Sequence, residues 1–344
     1  MIRKIIIGLL MLAVFISCMP QPKTLLVMTH DSFAISEDTM AKFSQETGFQ
    51  VSFLPSGDAG SALNRAILSK GSPVADIIYG IDNTFLSRAL AEELFIPYTP
   101  QDYEKVPAEF KLDDQARVVP INYGDVCLNY DRAYFETNNL ELPDSLQELT
   151  APEYRGMLVV ENPATSSPGL AFLLATVAEF GPDGYLDFWQ DLKDNEVVVV
   201  NDWETAYYTN FSGSVGQGAQ PMVVSYGTSP AAEVIFAEQE LAQSPTASLT
   251  GQNMCYRQIE FAGILAGTEN LDAARQFMDF MLSQDFQEDI PMNMFVFPVN
   301  PDAVIPGEFL AHIQVPEQPA FVEPEQIAQN REEWIEAWRE LMLQ

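Results

Sequence analysis

Four short stretches concentrate the side chains that could do chemistry: His30-Asp31-Ser32-Phe33, Gly57-Asp58-Ala59-Gly60, Asn162-Pro163-Ala164-Thr165-Ser166-Ser167-Pro168-Gly169 and Ser225-Tyr226-Gly227-Thr228-Ser229-Pro230. The last two set Ser and Thr hydroxyls beside Gly and Pro directly before an expected helix. Free backbone N–H groups there form an anion cradle that needs no Lys or Arg. Taken singly, the same arrangement serves as a helix N-cap.

Catalytic constellations are missing from the sequence. It contains no HExxH, no GxSxG elbow, no P-loop and no GxGxxG after a strand. A Ser–His–acid triad has only His30 and His312 to draw on, and a lone histidine is more often structural or part of a binding surface. No CxxC motif or Cys/His cluster points to a metal. The expectation is a binding protein without enzymatic activity, metal or cofactor.

The elements that carry these stretches alternate. Thr24–Thr29 reads as a buried strand that delivers His30 at its end. Ser36 offers an N-cap, with Glu37 and Asp38 at the positive end of the helix dipole and Gly48 as the stop. Strands are expected at 50–54 and 75–79, helices at 61–69 and 84–91. This βαβαβα series implies a parallel sheet covered by helices. The pattern restarts with strands at 157–161, 197–200 and 221–225 and helices at 169–180 and 184–192. Late amphipathic helices are expected at 272–282 and 331–343. Two α/β units without a linker imply two lobes with a cleft between them, the usual place for a small ligand.

The chain has 344 residues, 47% of them apolar and 19% charged, enough for two sizeable cores. Its net charge of −32 excludes nucleic acid and anionic membrane surfaces as partners and is compatible with a cationic ligand. At the N-terminus, Arg3 and Lys4 precede an apolar run from Ile5 to Ile16 and then Ser17-Cys18. That order reads as a lipoprotein-type export signal over 1–18, ending at a lipidated Cys18 that anchors the mature chain to a membrane. Export leaves Cys127 and Cys255 as either a disulfide or two buried thiols.

The ordered set THDSF, GDAGSALNR, ADIIYGIDN, PINYGDVCLNYD, NPATSSPGL, NDWETAY, VVSYGTSPA and IPMNMFVFPV resembles the thiamine-binding periplasmic proteins of ABC importers, from Thr24 to the C-terminus. The resemblance implies an α/β, two-lobed type II periplasmic-binding-protein fold, with 24–124 plus about 226–344 as one lobe and 125–225 as the other. It implies capture of thiamine or a thiamine phosphate in the interlobe cleft and delivery to the transmembrane permease subunits. Matched residue by residue, Asp58 faces the cationic ligand, Thr165 and Ser166 form a hydroxyl cradle, and Trp203 and Tyr226 contact the rings. Phe295 stands where relatives can have Trp, and His30 where they can have Tyr. Ser32, beside His30, and Thr228 and Ser229, in the second cradle, complete the expected ligand set. In such a fold the segments holding Cys127 and Cys255 leave and re-enter the first lobe side by side.

Thiamine suits these residues. Its permanent thiazolium charge asks for a carboxylate, and its flat rings ask for aromatic faces, each cation–π contact contributing about 0.5–2 kcal/mol. The alternative keeps the fold and changes the cargo to a polyamine or ferric iron. Ferric iron asks for paired phenolates. Tyr207 and Tyr208 are adjacent, and on a strand they would point to opposite faces.

Overall fold

A computed structural model describes residues 24–215 and 218–343; the expected export signal and Cys18 lie outside them. β1 (Thr24–Thr29) and β2 (Gln50–Pro55) pair in parallel, joined by α1 (Glu37–Thr47). The Ser36 hydroxyl accepts the Thr39 N–H at 3.2 Å at the start of α1, and Gly48, at φ 75°, ends it. α2 (Ala59–Leu68) returns the chain to β3 (Ile77–Asp82), which also pairs with β1. All six residues of β3 are buried, as a strand covered on both faces requires. α3 (Leu86–Ala91) and the short β4 (Phe95–Ile96) follow.

β5 (Val119–Asp131) is a thirteen-residue strand, and it leads through α4 (Arg132–Asn138) to β6 (Leu158–Glu161). Then comes α5 (Ser167–Asp194), where Gly181, at φ 74° and ψ 168°, leaves helical geometry just before Pro182. The two helices expected from sequence at 169–180 and 184–192 therefore join across a kink. β7 (Val198–Val200), β8 (Met222–Tyr226), α6 (Ser229–Ile235) and β9 (Thr246–Leu249) lead into β10 (Tyr256–Leu265). α7 (Leu271–Leu282), α8 (Gln284–Asn293), β11 (Phe297–Pro298), α9 (Gly307–Leu310) and α10 (Pro324–Met342) complete the chain. Trp338 of α10 meets Trp189 of α5 edge to face at 5.4 Å, both fully buried, which fixes the C-terminal helix to the second half.

One sheet runs through the molecule in the order β2-β1-β3-β10-β5-β8-β6-β7. β5 and β10 are the strands shared by both halves. The first part of β5 pairs with β10, and its last part, from Val126 to Asp131, with β8 and β9. The first crossing between the halves falls within β5. β9 pairs with Leu128–Asp131, so the chain stays with the second half until β10. Turn-like composition after Tyr226 hides that late return. Cys127 and Cys255 are joined by a disulfide at this crossing, with Cα atoms 4.2 Å apart and both residues buried.

Candidate functional site

Loops at the carboxyl ends of β1, β2, β7 and β8 open on one cavity of about 610 Å³. Openings of this kind, outside the strand ends of an α/β sheet, are where such folds hold small molecules. His30 and Ser32 come from the loop after β1, Asp58 from the turn after β2, and Trp203 from the segment after β7. Tyr226 ends β8, Ser229 starts α6 and Phe295 follows α8; all seven line the cavity.

Asp58 is the principal charge on one side. It is 9% exposed, and its Oδ2 accepts the backbone N–H of Trp203 at 3.2 Å, so one bond ties the two halves across the cleft. Burial raises its pKa to about 6, opposed by the Ser166 hydroxyl, the Trp203 amide and His30. A carboxyl that is costly to ionise in an empty cleft is eased by a bound cation. Around it stand aromatic faces. Trp203 stacks on Tyr207 at 5.1 Å and 18°, lies edge-on to Tyr226 at 6.5 Å, and donates its Nε1–H to Ser225 Oγ at 2.9 Å. The Tyr226 hydroxyl accepts from Gln258 at 3.1 Å.

The other pole is a pair that sequence reasoning missed in part. His30 Nε2 lies 3.4 Å from Oε1 of Glu260, a buried residue of β10. Oε2 of Glu260 accepts from Asn122 at 2.9 Å and from the Tyr79 hydroxyl at 3.2 Å. Burial pulls the His30 pKa down, but Glu260, helped by Asp58 and Asp31, outweighs it and leaves the imidazole above its ordinary value. Burial likewise pushes Glu260 up, and His30, Asn122 and Tyr79 more than offset it, holding the carboxyl below its ordinary value. Gly80 makes room for this pair. It sits at φ +92°, and a Cβ there would come within 2.4 Å of the His30 ring. Gly80→Ala is therefore expected to displace His30 and weaken ligand binding several-fold; calorimetric titration of this variant checks it.

The hydroxyl cradles are arranged differently from the expectation. Thr165 Oγ1 donates to the Asn201 carbonyl at 2.7 Å, and Thr228 Oγ1 donates to the Phe295 carbonyl. Neither residue lines the cavity. Ser166 is fully buried beside Asp58, not on the wall. Ser229 reaches the wall, with its Oγ 2.9 Å from that of Ser225, and so does Ser167 of the first cradle. Neither Ser166 nor Thr228 caps its helix through its side chain; the bonded threonine hydroxyls instead tie the helix starts to distant backbone carbonyls. His312 does not line this cavity.

Tyr207 and Tyr208 need a correction. Residues Thr205–Asn210 form a π-helical turn rather than a strand, started by the Asp202 carboxylate accepting the Thr205 N–H at 2.8 Å. Both tyrosines therefore line the cavity. The Tyr207 hydroxyl donates to Glu233 at 2.9 Å, and burial drives its pKa well above the ordinary value, so the phenol keeps its proton. Among the described residues, no group of three or more His, Cys, Asp or Glu is placed to hold a metal ion.

Glu260, Glu233 and Phe236 were also missed as cavity residues. Glu260 left a signal, since it is an acid inside the apolar run IEFAGIL of a strand shared by both halves. Glu233 and Phe236 left none, because a helix face is legible only once its packing is known.

Comparison with known proteins agrees with this geometry. The family of bacterial extracellular solute-binding proteins matches residues 72–310. The chain is similar to the thiamine-binding periplasmic protein of Brucella suis, with 31% identity over 92% of this chain and 91% of the relative. Among solved structures, a periplasmic thiamin binding protein superposes with a TM-score of 0.82 at 26% identity, covering 94% of this chain and 98% of the other. A ferric binding protein from Campylobacter jejuni shares the fold, with a TM-score of 0.74 at 18% identity over 92% and 99% of the two chains.

Proposed function

The chain belongs to the bacterial extracellular solute-binding proteins, and from that membership we propose that it captures thiamine outside the cytoplasm and hands it to the permease of an ABC importer. The observation that carries this reading is the cavity itself, where buried Asp58 faces Trp203 and Tyr226 across the cleft. A buried carboxylate answers the thiazolium charge, and the indole and phenol faces answer its rings. The site holds and releases its ligand without chemistry. Closure of the two halves over the ligand fits the strands they share, since a twist of β5 and β10 moves one half against the other.

Heat-shift measurements against thiamine, spermidine and Fe³⁺ test the reading. At 100-fold its dissociation constant, a bound ligand adds about 2.7 kcal/mol. Thiamine alone among the three is expected to raise the melting temperature; a response to Fe³⁺ or spermidine and none to thiamine overturns the proposal.

Affinity should also follow pH. A proton on Asp58 competes with the cation, so binding is strong above pH 6 and weakens as pH falls through the raised pKa of about 6. Protonation of His30 in the same direction adds a positive charge to the cleft. Titrations at pH 7.5 and pH 5 should differ by about tenfold, because pH 5 lies one unit below the Asp58 pKa of about 6.

The lipid anchor belongs to the same reading. Cys18→Ala is expected to move the protein from the membrane fraction to the soluble fraction of fractionated cells. A variant that stays with the membrane removes Cys18 as the anchor.

A further inference from the structure

The two oxygens of Glu260 are not equivalent. Oε2 is held by Asn122 at 2.9 Å and by Tyr79 at 3.2 Å, which locks the carboxylate in one orientation. Oε1 lies 3.4 Å from His30 Nε2, an ion-pair contact that does not make a hydrogen bond, so the buried Nε2 is left without a hydrogen-bond partner. The imidazole is fixed in turn, tilted at 41° against Tyr79 at 5.8 Å, edge-on to Phe33 at 6.4 Å, and backed by Gly80. Both residues line the cavity. The cavity wall thus holds a fixed acceptor beside an imidazole whose buried Nε2 has no hydrogen-bond partner. Leaving such a group unmet is costly, and that cost is what makes a polar edge discriminate.

The thiazolium ring has no N–H to give Oε1, and its positive charge is better placed at Asp58 than beside the imidazole. The aminopyrimidine has the matching edge, an exocyclic amine that donates next to a ring nitrogen that accepts. We propose that Glu260 and His30 together read this edge, Glu260 Oε1 accepting from the amine and His30 Nε2–H donating to the ring nitrogen. The inference rests on the thiamine reading given above and makes Glu260 a specificity-determining residue. Asp58 and Glu260 then divide the ligand between them, one recognising its charge and the other its hydrogen-bond pattern.

Three compounds separate these roles. Pyrithiamine keeps the aminopyrimidine and carries a pyridinium in place of the thiazolium. Oxythiamine keeps the thiazolium and replaces the amine with an oxo group, which turns an acceptor toward Oε1 and an N–H toward His30. In calorimetric titrations of the wild-type protein, pyrithiamine should bind about as well as thiamine, and oxythiamine at least about tenfold more weakly. Glu260→Gln keeps a carbonyl oxygen for Asn122 and Tyr79, and it should lower thiamine affinity while bringing the thiamine-to-oxythiamine ratio to within about threefold. If Glu260→Gln unfolds early by circular dichroism, His30→Ala is titrated in its place, with the same collapse of the ratio expected. Equal binding of thiamine and oxythiamine by the wild type overturns the inference and leaves the thiamine reading intact. An unchanged ratio in the folded variant also overturns it. Wild-type protein that binds none of the three compounds overturns the thiamine reading itself.

Discussion

Asp58→Asn is expected to weaken thiamine binding at pH 7.5 by at least tenfold, about 1.4 kcal/mol, while making the empty protein more stable. Both effects come from one cause. In the unliganded protein burial lifts the Asp58 pKa from 3.8 to about 6, so the ionised carboxylate is held in the fold at a cost. A shift of that size corresponds to about 3 kcal/mol. For a carboxyl raised by folding, the penalty is absent below the unfolded pKa near 4 and complete above the folded pKa near 6. Asparagine keeps an oxygen for the Trp203 amide and removes the penalty. The melting temperature of the ligand-free variant should therefore rise by a few degrees at pH 7.5 and stay unchanged near pH 4. Calorimetric titration with thiamine and with a neutral pyrimidine analogue reads the binding side. Equal losses for the two ligands would show that Asp58 organises its turn rather than meeting the charge.

The second large effect is expected from the disulfide. Cys127 and Cys255 are 128 positions apart, so their bond closes a long loop. The chain-entropy account credits such a closure with about 4–5 kcal/mol through the unfolded state. Cys127→Ala with Cys255→Ala should lower the midpoint of denaturant unfolding strongly and leave the unliganded cavity intact, because neither sulfur lines it. Thiol counting on the denatured, unreduced protein is the direct check: none free besides Cys18 is the expected result, and two titratable thiols would end the assignment. The bond joins the two strands common to both halves. Its loss should therefore destabilise the whole molecule in one transition, with no separate early melting of one half.

Much of this was readable before any coordinates. The βαβ alternation from Thr24 to Ala91 is legible because β3 is buried along its whole length and the first helix is marked at both ends by Ser36 and Gly48. Asp58, Trp203 and Tyr226 were reachable through ordered motifs at strand ends. Thr165 and Thr228 lie off the cavity for a physical reason. Both look free in sequence, but the fold brings each a backbone carbonyl from a distant segment, Asn201 for Thr165 and Phe295 for Thr228. The tyrosine pair was misread because a six-residue π-helical turn has no periodicity to recognise. Glu260 was legible in principle as an acid in an apolar strand. Its partners Tyr79 and Asn122 come from positions 181 and 138 residues away, a pairing that only the assembled sheet brings together.

The strand order has a consequence for how the polypeptide is born. In the sequence β3-β10-β5, the strand that fills the gap between two early strands is made late. Until residues 256–265 have been translated, β3 and β5 each present an open edge, and no earlier segment supplies the missing neighbour. Contacts of such long sequence separation form slowly, and unpaired edges invite association with other chains. A nascent chain threading vectorially from its N-terminus cannot complete either core until about three quarters of it has emerged. Strand order thus makes completion of the fold a late event in synthesis, which lengthens the time during which the early strands stay unpaired.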